Sequence, residues 1–244
     1  MGPPPRDMNA ALASAEKQSA VNWVFDRVAH RYDLGNHIMS AGMHRYWKRR
    51  LVELADIQPD HRVLDIACGT GDVTFMAGAL ARRGEVIGTD INPSMMQLAE
   101  SKRPPGSGHV SFREADAGAL PFADASFDRV TCVYAGRGFP DWPAVVSEAF
   151  RVLRPGGTFW NLDFARPGNA VWDKMYRGWL LGSGALLGLA LHGSAQTYMY
   201  IPRSMAQYRG QRWLDAELRN AGFETRLIES RLCLMAFNGA VKPL

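Results

Sequence analysis

The stretch "VLDIACGTGD", residues 63–72, sets the reading of the whole chain. Val63, Leu64 and Ile66 are the β-branched and apolar residues of a buried strand, which breaks at Gly69 and Gly71 and runs into "DVTFMAGALARR", helical in pattern. Strand, glycine turn and helix in that order make a nucleotide-binding βα unit. A glycine pair by itself serves any tight turn, so the neighbouring segments carry the decision.

Downstream the alternation continues. "EVIGTD" (85–90) is a strand, and "NPSMMQLAESKR" (92–103) is a helix with Asn92 as N-cap and Pro93 in its first turn. "HVSFREA" (109–115) and "FDRVTCVY" (127–134) are strands three and four, "WPAVVSEAFRVL" (142–153) is a helix, and "RPGG" turns into strand five, "TFWNLDFA" (158–165). Strands alternating with helices predict a doubly wound, mostly parallel α/β sheet. A helix at "QRWLDAELRNAG" (211–222) follows, stopped by Gly222. "FETRLIES" and "RLCLMAFNG" are then two strands with a short link, an antiparallel pair that closes the sheet edge and makes seven strands.

Two segments stand outside this rhythm. Before the sheet, residues 17–58 read as helices: Val21, Val24, Phe25 and Val28 fall at helical spacing, and a second helix runs from about Gly42 to Ala55. After Pro167, residues 168–208 read as an insertion. Its run "GWLLGSGALLGLAL" (178–191) holds four glycines in 14 residues. Glycine disfavours a helix interior, the run is too short to span a bilayer, and it is too apolar for a solvated loop. A lid-like apolar cover over the site is expected, with a helix packed on the sheet as the alternative. Residues 1–16 read as a disordered lead-in without a signal peptide's apolar core, and residues 17–244 as one domain.

Composition narrows the class. The chain has 244 residues, 47% apolar and 21% charged, with a net charge of +4, as expected of a single domain with an ample core. "HRYWKRR" (44–50) gathers five basic or potentially basic groups in seven positions, either a solvated helix face or a patch for anionic headgroups or an anionic substrate. No nucleic-acid module accompanies it. Cys68, Cys132 and Cys233 are scattered and lack metal-ligand spacing, which argues for a reducing compartment and for no metal site. A cytoplasmic protein is expected.

The ligand can be read from the acids. A dinucleotide fingerprint has a small residue at its third position; here that position is Thr74, and Asp72 places a carboxylate where a phosphate would be repelled. S-adenosylmethionine carries no phosphate, and its sulfonium and ammonium groups attract acidic residues such as Asp65. Asp90 ends strand two, 19 residues after Gly71, where a carboxylate accepts from ribose hydroxyls. Asp116, after strand three, stands where an adenine amino group needs an acceptor. Each could be a cap or a loop residue on its own; three at successive strand ends point to a ligand edge. A nicotinamide oxidoreductase fits less well.

These segments carry a resemblance. "VLDIACGTGD", "VIGTDINPSMM", "ADAGALPFADASFDRV" and "EAFRVLRPGGTF" resemble the successive motifs of class I S-adenosylmethionine-dependent methyltransferases, a Rossmann-like fold. Within that class "VAHRYDLGNHIMSAGMHRYWKRR", "LDFARP" and "TYMYIPRSM" resemble the ubiquinone/menaquinone-biosynthesis C-methyltransferase family, from about Val24 to the C-terminus. The resemblance implies S-adenosylmethionine as cofactor, contacted by Thr70, Asp90, Asp116 and Ala117. The expected cofactor set is these four with Asp65, Gly69, Gly71 and Ile91. After strand four the family reads like S-F-G-x-R-N, whereas this chain reads "VYAGRG" (133–138): Arg137 is kept, but Val133 and Gly138 depart from the pattern.

The implied reaction is methylation of a ring carbon of a prenylated quinol. Such a carbon becomes nucleophilic when the neighbouring hydroxyl ionises, so the site needs a cation or a proton acceptor beside that oxygen. Arg137 is the expected cation, because guanidinium stays protonated. Tyr32, Asp33, His44 and Asp163 are the candidates for orientation or proton removal. Another lipophilic acceptor, such as a phospholipid amine or a secondary-metabolite hydroxyl, and a non-catalytic cofactor-binding protein remain alternatives. The expected partners are a lipophilic small molecule and a membrane met peripherally, with a homodimer compatible and no nucleic acid.

Overall fold

In the computed structural model the described residues are 40, 42–192, 204–205, 208–231 and 234–244. The expected lead-in (1–16), the first helix, Tyr32, Asp33 and Cys233 lie outside them. The described chain runs α1 Met43–Leu54, β1 Arg62–Ile66, α2 Asp72–Gly78, β2 Glu85–Asp90, α3 Pro93–Ser101, β3 Val110–Glu114, β4 Phe127–Val133, α4 Trp142–Val152, β5 Leu153–Phe164, α5 Ala170–His192, α6 Gln211–Asn220, β6 Glu224–Glu229 and β7 Met235–Val241.

The seven strands form one sheet in the order β3-β2-β1-β4-β5-β7-β6. β1 to β5 pair in parallel. β7 inserts antiparallel between β5 and β6, so a single reversed strand closes the sheet. Central strands are apolar on both faces, since helices cover both. Leu64, Ile66, Val130 and Phe159 pack with α4 and α6 on one face. Val63, Val86, Leu162 and Phe237 pack with α1 and α2 on the other.

The expected elements appear with small shifts that have local causes. Asn92 caps α3 by accepting from the Met95 amide, 3.0 Å, with Pro93 at its first position. α2 stops at Gly78 rather than near Arg83; a Cβ on Gly78 would lie 2.5 Å from the Val110 side chain, so glycine lets α2 close onto β3. β5 begins at Leu153, five residues before the expected Thr158, because Leu153 pairs with Phe127 ahead of a bulge.

Two segments take a definite form. The glycine-rich run is helical, as in the alternative expectation: Ala170–His192 is one 23-residue helix. Gly178 and Gly182 have open space where a Cβ would stand, so they face outward and relieve no crowding, while Tyr176 and Leu180 pack against Met205 and Tyr208. Tertiary packing of one face outweighs propensity. The basic patch is also divided. Arg45, Arg49 and Arg50 are exposed, but His44 and Lys48 lie on the inward face of α1 with Leu51 and Val52.

Candidate functional site

Open parallel sheets bind ligands beyond the carboxyl ends of their strands, where the strand order reverses. Here the reversal lies between β1 and β4. A cavity of about 320 Å³ opens there, lined by the ends of β1 (Ala67, Gly69), β2 (Asp90, Ile91), β3 (Ala115, Asp116) and β4 (Val133, Tyr134). That suits a small-molecule site. Two residues on its wall, Ala67 (φ 52°) and Tyr134 (φ 59°), hold left-handed backbone without being glycine, a strain that persists only where surrounding contacts fix it.

The glycine turn is built against β2. Gly69 and Gly71 have φ of 55° and 80°. A Cβ on Gly71 would meet the Phe112 ring at 2.9 Å, so the turn depends on glycine for conformation and for space. The Cys68 amide donates to the Thr89 carbonyl (2.9 Å), and the Gly69 amide to Asp90 Oδ2 (2.9 Å). Asp90 Oδ1 accepts from the Asn92 amide at 2.9 Å. Each carboxylate oxygen keeps further acceptor capacity for ribose hydroxyls. Burial raises the Asp90 carboxyl above its ordinary range, and the amides of Asn92, Gly69 and Ile91 pull it back. Asp116 is exposed at the rim and accepts from the Gly118 amide at 2.9 Å. Arg151, reaching from α4, holds its loop through the Phe122 and Leu120 carbonyls (2.7 and 3.0 Å).

The expected cofactor residues divide into two groups. Gly69, Asp90, Ile91, Asp116 and Ala117 line the cavity. Asp65, Thr70 and Gly71 stand behind it. Asp65 is 1% exposed, and its carboxylate accepts from Thr74 Oγ1 and Thr131 Oγ1, both at 2.7 Å. It ties β1 to α2 and β4, and Thr74 occupies the small-residue position because its hydroxyl serves this bond. Burial pushes the Asp65 carboxyl up to about 6, against the two threonine hydroxyls and the charge of Lys48.

Asp72 needs another account than phosphate repulsion. Lys48 Nζ lies 2.7 Å from its Oδ2, and this charge, opposing burial, leaves the Asp72 carboxyl below its ordinary range. The bias against phosphate comes from the cavity wall instead. Asp90, Asp116 and Asp141 line it, with no lysine or arginine among the lining residues described. That donor and acceptor set fits a cationic cofactor without phosphate.

Beside the cavity, Arg137 and Asp163 are brought together. Arg137 Nε donates to Asp163 Oδ1 at 2.9 Å and Nη1 to Ser204 Oγ at 3.0 Å, with the guanidinium 4.7 Å above the Phe164 ring. Both partners are buried, while neighbouring Ala135 and Gly138 line the cavity. Asp163 Oδ2 finds no hydrogen-bond partner among the described residues. A Cβ on Gly136 would fall 2.3 Å from the Trp142 ring and 3.2 Å from that oxygen, so glycine is required there. His44 does not line the cavity; its Nδ1 lies 2.9 Å from Ser40 Oγ. Lys48, Ser204 and Tyr134 are not singled out as site residues by the sequence, although each lies in a stretch quoted from it: "HRYWKRR", "TYMYIPRSM" and "VYAGRG".

An S-adenosylmethionine-dependent methyltransferase from Aquifex aeolicus shares this fold, with a TM-score of 0.58 at 14% identity, over 80% of this chain and 88% of its own. Fold and site define the class: an S-adenosylmethionine-dependent methyltransferase. The profile of the ubiE/COQ5 methyltransferase family matches residues 13–232. Ubiquinone/menaquinone biosynthesis C-methyltransferase UbiE of Rhizobium leguminosarum bv. trifolii is 38% identical over 240 residues, 96% of this chain and 90% of that protein. The enzyme of the same description from Ectopseudomonas mendocina is 38% identical over 216 residues, 87% and 84% of the two chains. The chain belongs to the ubiE/COQ5 methyltransferase family.

Two outcomes follow from this geometry. Asp90→Ala should weaken S-adenosylmethionine binding by about 1.5–3 kcal/mol, the range for hydrogen bonds to a charged group; unchanged affinity by calorimetry would remove Asp90 from the cofactor contacts. Asp65 gives a pH signature. A carboxyl raised from 3.8 to about 6 on folding favours the folded state below about 3.8, and that contribution is lost as pH rises through about 6. Asp65→Asn cannot titrate, so urea titrations should show a flatter dependence of stability on pH between those values. A slope equal to the native protein's would place the titration on another group.

Proposed function

We propose that this enzyme methylates a ring carbon of a prenylated quinol in ubiquinone or menaquinone biosynthesis. The observation that carries the proposal is the buried Arg137–Asp163 pair directly behind a cavity wall lined by the strand-end aspartates, in a chain 38% identical to enzymes named for that reaction.

When bound, S-adenosylmethionine supplies an electrophilic methyl group on sulfonium. Asp90 holds the ribose, Asp116 and Ala117 face the adenine, and Gly69 and Ile91 shape the floor. Arg137 stabilises the phenolate oxygen that makes the adjacent ring carbon nucleophilic. Asp163 holds the guanidinium in place through Oδ1, and its Oδ2 is the candidate proton acceptor. Tyr32 and Asp33 stay in the proposal as orienting groups. A different lipophilic acceptor, such as a phospholipid amine, is the second reading, favoured by one observation: Val133 and Gly138, which depart from the family pattern, both line the cavity.

A prenyl tail resides in a membrane, so the enzyme would work from the cytoplasm in peripheral contact with the bilayer, as a monomer or a homodimer. No helix among the described residues is long and apolar enough to cross a membrane. The outward side of α5 supports a lid-like contact. Val171, Met175, Trp179, Leu186 and Leu189 are all exposed and, at 100° per residue, fall on one stripe opposite buried Leu180.

Arg137→Met tests the chemistry. Turnover on a demethylated long-tailed quinol should fall by about two orders of magnitude or more with little change in cofactor affinity, as for loss of one preorganised donor. Near-normal turnover would place oxyanion stabilisation elsewhere, and no turnover of any quinol by the native enzyme would favour the second reading. For the membrane contact, Trp179→Glu with Leu186→Glu should keep the fold and reduce sedimentation with anionic liposomes. Undiminished sedimentation would exclude that face. Leu180→Asp, by contrast, should unseat α5, because Leu180 is 1% exposed.

A further inference from the structure

The glycine turn is anchored unequally on its two sides. On the β2 side it is pinned by the Thr89 carbonyl and the Asp90 carboxylate. On the far side the chain leaves Gly71 in a left-handed conformation and enters α2 at Asp72, with no side-chain cap at Gly71. Three left-handed residues, Ala67, Gly69 and Gly71, fall within five positions. Such a turn needs fixing from outside. The outside contact comes from α1, which precedes the sheet and contributes nothing to the cavity wall. Lys48 is 8% exposed, unusual for a lysine, which is rarely buried unless paired. Its Nζ meets Asp72 Oδ2 at 2.7 Å. Its charge also reaches Asp65, so it offsets the buried acid at the end of β1.

We propose that Lys48 is a positioning residue for the cofactor: by holding Asp72 it fixes the far side of the glycine turn, and it couples cofactor binding to the docking of α1. The inference rests on the assignment of the cofactor to this cavity. Lys48 does not itself line the cavity; it acts through Asp72. Coupling is reciprocal, so a bound cofactor also holds α1 against the sheet. Loss of either partner would loosen the turn, and loss of Lys48 would also remove the positive charge that acts on Asp65.

A double-mutant cycle on the full chain, with S-adenosylmethionine affinity read by calorimetry, tests this. Lys48→Met should weaken binding roughly 5- to 150-fold, the usual span for coupled sites. The loss should appear in KM for S-adenosylmethionine rather than in kcat, and Lys48→Arg should restore much of it. Asp72→Asn should produce a similar loss, and the double variant should bind no worse than the weaker single one. Native affinity in Lys48→Met, or losses that multiply in the double variant, would overturn the proposal. Should Lys48→Met fail to fold, Asp72→Asn reads the same pair from its more exposed end. If Asp90→Ala keeps the native affinity, it is the cavity assignment that fails; if Asp90→Ala loses affinity and Lys48→Met does not, the Lys48 proposal alone fails.

Discussion

A carboxylate without access to water organises this molecule. Asp65 leaves the end of β1 and takes one threonine hydroxyl from α2 and one from β4. An unsatisfied buried carboxylate would be costly, so the three elements can meet only in the arrangement that completes both bonds. That meeting point is where the strand order reverses. The ligand edge of the sheet is thereby placed by a group that does not line the cavity.

The same neighbourhood shows how charge is managed. Asp65, Asp72 and Asp90 crowd the ends of two adjacent strands, and each is relieved differently: by hydroxyls, by Lys48, and by backbone amides. What remains facing the cavity is acidic. A cationic cofactor is favoured by that surface, while a pyrophosphate would find no lysine or arginine among the described lining residues. Beside the cavity the order is reversed. Arg137 is a buried positive charge, and Asp163 pairs with it at 2.9 Å. Breaking such a pair by removing one member is far more damaging than its net worth to stability, because the survivor is left charged in a dry site.

The segment after β5 answers a different demand. α5 keeps one face for the protein, through Tyr176 and Leu180, and leaves apolar residues on the other. Gly178 and Gly182 sit outward, so they weaken the helix without creating voids beneath it. A helix of this kind is held chiefly by its inner face.

The sequence by itself determined the alternation of strands and helices, the glycine turn, the Asn92 cap and the antiparallel pair at the sheet edge. These depend on side-chain period, on φ and on connection length, all of which are local. It also determined which acids end which strands, since topology puts the carboxyl ends of parallel strands together. Tertiary structure alone decided where those acids point. Asp65 and Asp90 look alike in sequence, one residue at the end of each strand. The first turns inward because two threonines from distant elements reach it, and the second stays at the cavity because two amides of the adjoining turns hold it there. Lys48 and Asp72, 24 residues apart, lose their separate meanings for the same reason. A charge in sequence is only a charge; its partner, and therefore its role, is chosen by packing between segments that no local pattern connects.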